Sequence, residues 1–228
     1  MFGRGAYVTP TVEFGGTFIG EKTNEEKPYI RHLHIINGRI FDDGYYSGMF
    51  GILTGEVSNI VISNSSIILN NTQANYSMTF RVGMIASHLS EGVIRDVSVN
   101  ANIHLGYRTI GQLYAGGVAG QASGTIENVY TKGEINGGVR QFLEEYLVVP
   151  NYYIGGIVGG TENIKLTVSN VLNDNDILGM SHEIDSSNPD AGINSDGTIS
   201  IVLGGIIGYS NNTTAIRHAF YMMSNDAF

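Results

Sequence analysis

The sequence contains no cysteine and no tryptophan, and it is poor in charged residues. The absence of cysteine excludes disulfide bonds, thiol chemistry and zinc sites with cysteine ligands. Charged residues make up 14% of the 228 residues, well below the roughly 25% that is usual for soluble globular domains. The 12 basic and 21 acidic residues give a net charge of −9, which argues against binding of nucleic acid through a basic surface.

Long apolar runs and an amino-terminal leader are also missing. The longest candidate, residues 199–209, is broken by a serine and three glycines and is shorter than the roughly 18 residues that cross a membrane, so we expect no membrane insertion. Residues 1–16 lack the apolar core of a signal peptide. A cytoplasmic protein and a segment of a longer exported chain both fit. We favour an extracellular or cell-surface segment, because the chain is low in lysine and rich in asparagine and serine.

Glycine is abundant, with 31 residues, and part of it falls in a repeated G-x-x-G motif. Short apolar strand signals surround each copy of the motif. The second position is glycine in four of the five copies and alanine in the other. The first glycines are Gly48, Gly83, Gly117, Gly156 and Gly205, and their partners are Gly51, Ala86, Gly120, Gly159 and Gly208.

One further landmark follows all five glycine pairs, and a second follows the first four of them. The first is a polar residue that precedes a short apolar run, and the second is a lone isoleucine. The polar residues are Asn59, Asp96, Asn128, Asn170 and His218, and the isoleucines are Ile67, Ile103, Ile135 and Ile177. Each unit therefore carries three short apolar strands separated by turns rich in glycine, asparagine, serine and aspartate.

One such unit cannot bury its own apolar face, whereas stacked units can bury theirs continuously. We therefore predict an all-β fold, a parallel β-solenoid (β-helix) of about five irregular three-strand coils with long loops. The chain is expected to be a single repeat domain over 1–228, part of a larger protein. Its predicted parts are a lead-in segment over 1–45 and units over about 46–79, 80–112, 113–151, 152–200 and 201–228.

One segment departs from the repeat. Residues 139–147 combine good helix formers with apolar residues near helical spacing, and Pro150 follows them. This pattern predicts one short helix that packs on the repeat and ends before the proline. A helix that binds a partner is the alternative interpretation.

Equivalent positions of stacked units should form columns of side chains. The residues three positions before each first glycine predict an aromatic ladder, and a column that stacks on carbohydrate is the less favoured interpretation. These residues are Tyr45, Phe80, Tyr114, Tyr153 and Val202. The two residues after each first glycine are both apolar, and successive strand residues face opposite ways. We predict that the chain's own long loops cover the second face of this strand.

The best-preserved units read Y-A-G-G-V-A-G, I-E-N-V-Y and G-E-I over 114–135, and Y-I-G-G-I-V-G with V-S-N-V over 153–171. Residues 14–20, F-G-G-T-F-I-G, are similar to a segment that often precedes such units. Over residues 12–222 the chain resembles the GLUG-motif repeat family of bacterial exported and surface proteins. This resemblance implies adhesin-like surface proteins or non-catalytic regions of large secreted proteases, with no catalytic residue inside the repeat.

Residues typical of catalytic or metal sites are few. His182 and Glu183 start like a zinc-protease motif, but the second histidine is missing. His32 and His34 share one strand face without an evident third ligand. The acidic loop 173–197 is interpreted as a solvated loop rather than a calcium site. The repeat columns hold no recurring acidic pair of the kind that glycoside hydrolysis needs, so we predict no catalytic residue, metal or cofactor.

We therefore expect a non-catalytic bacterial cell-surface or secreted β-solenoid module for adhesion, binding or rigid spacing. Its expected partner is a host protein or a glycan, and the sequence leaves its oligomeric state and its binding residues open. One alternative is an accessory substrate-binding region of a large secreted metallopeptidase. Another is a carbohydrate-active β-helix, which would need a cleft of convergent aspartate, arginine and lysine side chains.

Overall fold

The computed structural model describes residues 29–42, 45–69, 79–106, 112–141, 151–179, 181–183, 201–211 and 213–222. Within these ranges the chain forms β-strands and no helix. Apolar and β-branched residues alternate with polar ones along the long strands, which is the pattern of a strand with one buried face. The strands are β1 (Tyr29–Ile36), β2 (Arg39–Asp42), β3 (Tyr46–Ser47), β4 (Phe50–Leu53), β5 (Glu56–Leu69), β6 (Thr79–Gly83), β7 (Ala86–His104), β8 (Gln112–Gly116), β9 (Ala119–Asn136), β10 (Val139–Gln141), β11 (Tyr152–Gly155), β12 (Val158–Leu178), β13 (Ser181–Glu183), β14 (Ile201–Gly204), β15 (Ile207–Tyr209) and β16 (Thr214–Tyr221).

Two main sheets follow the same order along the chain. The first contains β1, β5, β7, β9, β12 and β15 as successive neighbours, while β2 pairs with β5, β4 with β7 and β16 with β12. The second contains β3, β6, β8, β11 and β14. Neighbouring strands pair in parallel in both sheets. The predicted all-β fold with parallel sheets is confirmed. We call each strand of the second sheet, together with the strand of the first sheet that follows it, a level, as for β8 and β9, and each set of register partners on successive levels a column.

Two-residue corners connect the second sheet to the first. The chain leaves β6, β8 and β11 and enters β7, β9 and β12 after only two residues. Ile85 N donates to Val118 O at 3.0 Å, and Val118 N donates to Ile157 O, also at 3.0 Å. The corners are therefore hydrogen-bonded from level to level, in the same order as the strands.

Glycine in these corners, and just after them, lies where two backbones are in close contact. A Cβ atom on Gly120 would lie 2.5 Å from Val82 N, which no real Cβ tolerates. A Cβ atom on Gly156 would meet both the side-chain amide of Asn173 and the carbonyl oxygen of Gly205. Only glycine fits at these positions, because neighbouring backbone and side-chain atoms leave no room for a Cβ atom.

The register corrects our alignment of the second unit by one residue. Gly83 pairs with Gly116, not with the predicted Gly117. Ala86 pairs with Ala119, so that Ser87 lies level with Gly120. The reason is that Met84 occupies the corner position that glycine fills in later units, which shifts the apparent G-x-x-G motif.

The same shift changes the predicted aromatic ladder. Tyr114 and Tyr153 are register partners, and their rings stack with centroids 5.1 Å apart, as predicted. Phe80 packs on Tyr45 as predicted, with ring centroids 5.2 Å apart, but it pairs with Leu113 and is buried, so its predicted place beside Tyr114 is wrong. Arg81 takes the position opposite Tyr114.

Tyrosine side chains cover the outer face of the strand segment that follows each glycine motif. A Cβ atom on Gly160 would collide with the ring of Tyr114, which shows how closely that ring packs. Tyr153 packs on Tyr209, with ring centroids 4.9 Å apart. Most of the long loops that we expected to provide this cover lie outside the described residues.

The core consists of apolar columns that run across the levels. The lone isoleucines of the sequence pair directly, Ile67 with Ile103, Ile103 with Ile135 and Ile135 with Ile177, so that landmark is confirmed as a structural column. The first three of these side chains are almost completely buried. Burial of such columns is the main stabilising contribution that the described contacts show.

The core becomes polar toward the C-terminal levels. The register column that contains Ile62 and Val99 continues as Thr131 and Asn173, and all four of these residues are buried. Asn173 accepts a hydrogen bond from Thr131 Oγ1 at 2.8 Å and donates one to Gly205 O at 2.7 Å. These bonds offset the loss of hydration of the buried amide.

The predicted helix over 139–147 is wrong where the structure describes it. Residues 139–141 form strand β10, which pairs in parallel with β13 over 181–183. Pairing with a neighbouring strand overrides the local helix propensity, as tertiary context often does. Residues 142–150 lie outside the described residues.

Replacing Gly156 with valine should destabilise the fold by more than about 3 kcal/mol, because the new side chain would displace backbone and a buried amide. Gly117→Val should behave in the same way, since its Cβ would meet the Gly156 carbonyl. Urea unfolding followed by circular dichroism measures the loss.

Gly179→Val is the matched control, because a Cβ atom there meets only the side chain of Leu203, at 3.7 Å. It should change the free energy of unfolding by less than about 0.5 kcal/mol. Equal effects of the two kinds of variant would contradict the assigned role of the corner glycines.

Candidate binding groove

A column of left-handed backbone conformations crosses the first sheet. Six residues at equivalent positions have φ between 48° and 59°. Asparagine, aspartate and histidine are the non-glycine residue types that most readily adopt this conformation, and the column contains only these three. Its members are His32, Asn59, Asp96, Asn128, Asn170 and His218.

The pairing register skips this column. Ser58 pairs with Arg95 and Ile60 pairs with Val97, which leaves the residue between them outside the pairing on both strands. A left-handed residue interrupts the extended backbone, so each long strand bends at this point. All six side chains are exposed along the line of these bends.

The side chains of the column are hydrogen-bonded into a ladder. Asn128 Nδ2 donates to Asp96 Oδ1 at 2.9 Å, and Asn170 Nδ2 donates to Asn128 Oδ1 at 3.1 Å. His218 Nδ1 lies 3.1 Å from Asn170 Oδ1. We call Asp96, Asn128, Asn170 and His218 the amide ladder.

Each asparagine of the ladder keeps unused hydrogen-bonding capacity. An amide has two N–H donors and two acceptor lone pairs, and the ladder uses one of each at Asn128. One donor and one acceptor remain and can reach a ligand. The ladder thus presents a neutral donor and acceptor pair on two neighbouring strands, at Asn128 and at Asn170, about 4.8 Å apart.

A second column runs beside the ladder and forms a groove with it. The residues of this second column are register partners of one another. The groove between the two columns has a volume of about 660 Å³. Phe220 is 64% exposed, which is high for a phenyl ring. The second column consists of Val61, Ser98, Tyr130, Leu172 and Phe220.

Tyr130 is held in place at the middle of this groove. Its hydroxyl donates to Asp174 Oδ2 at 3.2 Å. Partial desolvation and the hydrogen bond to the Asp174 carboxylate raise the pKa of Tyr130. The phenol therefore stays neutral at physiological pH, and its ring position is fixed.

The electrostatic character of the groove is close to neutral. Among the described residues that line it, Asp96 alone carries a carboxylate, His218 is the single histidine, and none is lysine or arginine. Such a lining suits a ligand that is bound by hydrogen bonds and apolar contact rather than by charge.

A polar cluster elsewhere brings serine, glutamate and histidine together. His88 Nε2 lies 2.7 Å from Glu162 Oε1, but neither ring nitrogen makes a well-aligned hydrogen bond within the described residues. Ser123 is buried and donates to Glu162 Oε2 at 3.1 Å, so the serine contacts the carboxylate and not the histidine. This arrangement lacks the serine–histidine contact of an activated nucleophile and favours a structural role.

The sequence-predicted site residues are not gathered into one place. His32 belongs to the left-handed column, while His34 Nε2 lies 3.3 Å from Ser63 Oγ. No group of three possible metal ligands occurs among the residues that the structure describes. Of the acidic loop, the stretch up to residue 179 is described and belongs largely to β12, and its Asp174 binds Tyr130. The side chains of 182 and 183 and residues 184–197 lie outside the description.

The groove itself was missed by the sequence analysis, although the polar landmark marked one wall of it. The informative signal is residue type, because asparagine, aspartate and histidine all tolerate the left-handed conformation.

Among the residues that the structure describes, no helix is long and apolar enough to cross a membrane. Comparison with family models, with curated proteins and with solved structures yields no match.

Asn128→Val should lower the free energy of unfolding by about 2 kcal/mol, since a β-branched residue is strained at φ 53°. Asn128→Gly should change it by less than about 1 kcal/mol, because glycine adopts positive φ freely. Thermal and urea unfolding of both variants test this difference. A glycine variant as unstable as the valine variant would contradict the conformational explanation.

His88 should make the fold sensitive to acid. Burial lowers the pKa of His88 below its ordinary value of 6.5, with Arg81 adding to the effect and Glu162 opposing it. The unfolded chain therefore binds more protons between the lowered pKa and 6.5, and stability falls as the pH decreases through this window. Urea unfolding from about pH 7.5 to about pH 5 should show a shallower loss for His88→Gln. Parallel pH curves for the two proteins would contradict this assignment.

Proposed function

We propose that the chain is a parallel β-solenoid of about five coils. The two sheets have the same strand order, and the chain passes from one to the other at every level through a two-residue corner. The interior columns lie in register from β5 to β12, so each level covers the apolar face of the next. This is the arrangement that stacked repeats need, because no single level could bury its own face.

We further propose that this solenoid is a non-catalytic binding module of a bacterial exported or cell-surface protein. The resemblance to the GLUG-motif family supports the location and the class. The observation that carries the binding function is the groove, in which an exposed aromatic ring and ordered amides are presented side by side. Solvent-exposed groups that are held in place and still have free hydrogen-bonding capacity are suited to ligand contact.

The carbohydrate-active alternative has less support. Glycoside hydrolysis requires two carboxylates beside the scissile bond, and the described lining of the groove has only Asp96. Glu56 lies between Arg31 and Arg95, at 3.1 and 2.9 Å. Although partial desolvation acts in the opposite direction, hydrogen bonds from Arg95 and Ser58 lower the pKa of Glu56, so that it suits ion pairing rather than proton donation.

The purified chain should bind at least one member of a panel of host glycans, extracellular-matrix proteins and immunoglobulins, immobilised for biolayer interferometry. Binding should be saturable and should weaken at least about tenfold in Phe220→Ala. Phe41→Ala is the matched control, because Phe41 is 63% exposed and lies at the opposite end of the first sheet, on β2. Absence of any saturable binding, or equal binding by both variants, would contradict a binding role for the groove.

A further inference from the structure

We propose that the groove binds an extended neutral glycan, whose chain runs across the strands with about one sugar ring for each level. This inference rests on the proposed binding function and names the class of ligand. The groove crosses five levels, from the strand that holds Val61 to the strand that holds Phe220. It therefore offers one equivalent position at each level, about 4.8 Å apart, which is close to the length of one pyranose ring in an extended chain.

The chemistry of the amide ladder matches sugar hydroxyls. A hydroxyl donates one hydrogen bond and accepts others, and each ladder asparagine has one donor and one acceptor left over. The bonds along the ladder fix the orientation of these amides before a ligand arrives. Less side-chain entropy is then lost on binding.

The opposite wall provides apolar contact for the faces of sugar rings. Tyr130 and Phe220 belong to the same register column and are separated by the level of Leu172. The face of an aromatic ring is electron-rich, and the C–H groups on one face of a pyranose are weakly positive. The fixed Tyr130 ring and the exposed Phe220 ring are the two positions at which such stacking is expected.

The charge of the groove separates a neutral glycan from other polymers. The described lining has no lysine or arginine, and Asp96 repels anions, which disfavours acidic glycans and nucleic acid. An extended peptide would bind most readily by pairing its backbone with an unpaired strand edge. Here the groove runs across the strands, so a peptide lying along it would cross them rather than pair with one of them, and the 3.3 to 3.4 Å rise of a peptide strand does not match the spacing of the levels.

Isothermal titration with neutral oligosaccharides tests this inference. The probes are cello-, xylo-, manno- and malto-oligosaccharides of two to eight units, with oligogalacturonate and an extracellular-matrix protein for comparison. At least one neutral series should bind, and its affinity should increase with length and level off near five units. Tyr130→Ala and Phe220→Ala should each weaken binding about tenfold, while Phe41→Ala should leave it unchanged.

Asn128→Gly provides a second, independent variant. It keeps the left-handed backbone but removes the amide, so it should weaken glycan binding without unfolding the protein. Circular dichroism of the same samples confirms that each variant is folded.

The outcomes separate the two proposals. Binding of the protein or the acidic probe that is lost in the groove variants, with no neutral glycan bound, would overturn the glycan inference and leave the binding module in place. Neutral glycan binding that is unchanged in Tyr130→Ala, Phe220→Ala and Asn128→Gly would overturn the groove as the site in both proposals. Failure of every probe to bind would count against both.

Discussion

The fold depends on one constraint, which is that parallel strands keep their register from level to level. Each side chain then lies about 4.8 Å from its equivalents on the two neighbouring levels. The residue type at each position must therefore pack favourably against the equivalent side chains above and below it. Isoleucine does so in the column of Ile67, Ile103 and Ile135. Asparagine does so at the left-handed bend, where its amide bonds to the next one. A shift by one residue would turn each column to the opposite face, so errors in register are strongly disfavoured.

Corner and core residues change together under this constraint. In the early levels Met49 and Met84 occupy the corners, and the core column beside them is apolar. In the later levels glycine takes the corner, and Asn173 fills the space and bonds to the carbonyl of Gly205. The apolar side chains need no polar partner, and the buried amide of Asn173 has its hydrogen bonds to Thr131 and to Gly205. The same stacking places equivalent groups at regular intervals on the outside, and this regularity makes a groove suited to a repeating polymer.

The sequence predicted the parallel β-fold because its signals repeat, so that the isoleucine column could be found by spacing alone. It failed where one residue changed the spacing, and Phe80 was therefore assigned to the wrong column. The helix prediction failed at 139–141, because pairing with β13 cannot be inferred from local propensity. The groove was not predicted, since the hydrogen bonds of its ladder join residues that are at least 32 positions apart in the sequence. Their residue types still carried the signal, because asparagine and aspartate tolerate the left-handed bend.

The most direct test of stacked levels is a set of distances between spin labels along one column. The chain has no cysteine, so pairs of introduced cysteines can be labelled selectively at Phe220 and at Ser98, Val61 or His34, which are equivalent positions on successive strands. Pulsed and continuous-wave electron paramagnetic resonance should give distances that increase by about 4.8 Å per level, near 14, 19 and 24 Å. Distances that do not increase in this order, or that increase unevenly, would contradict the register on which the account depends.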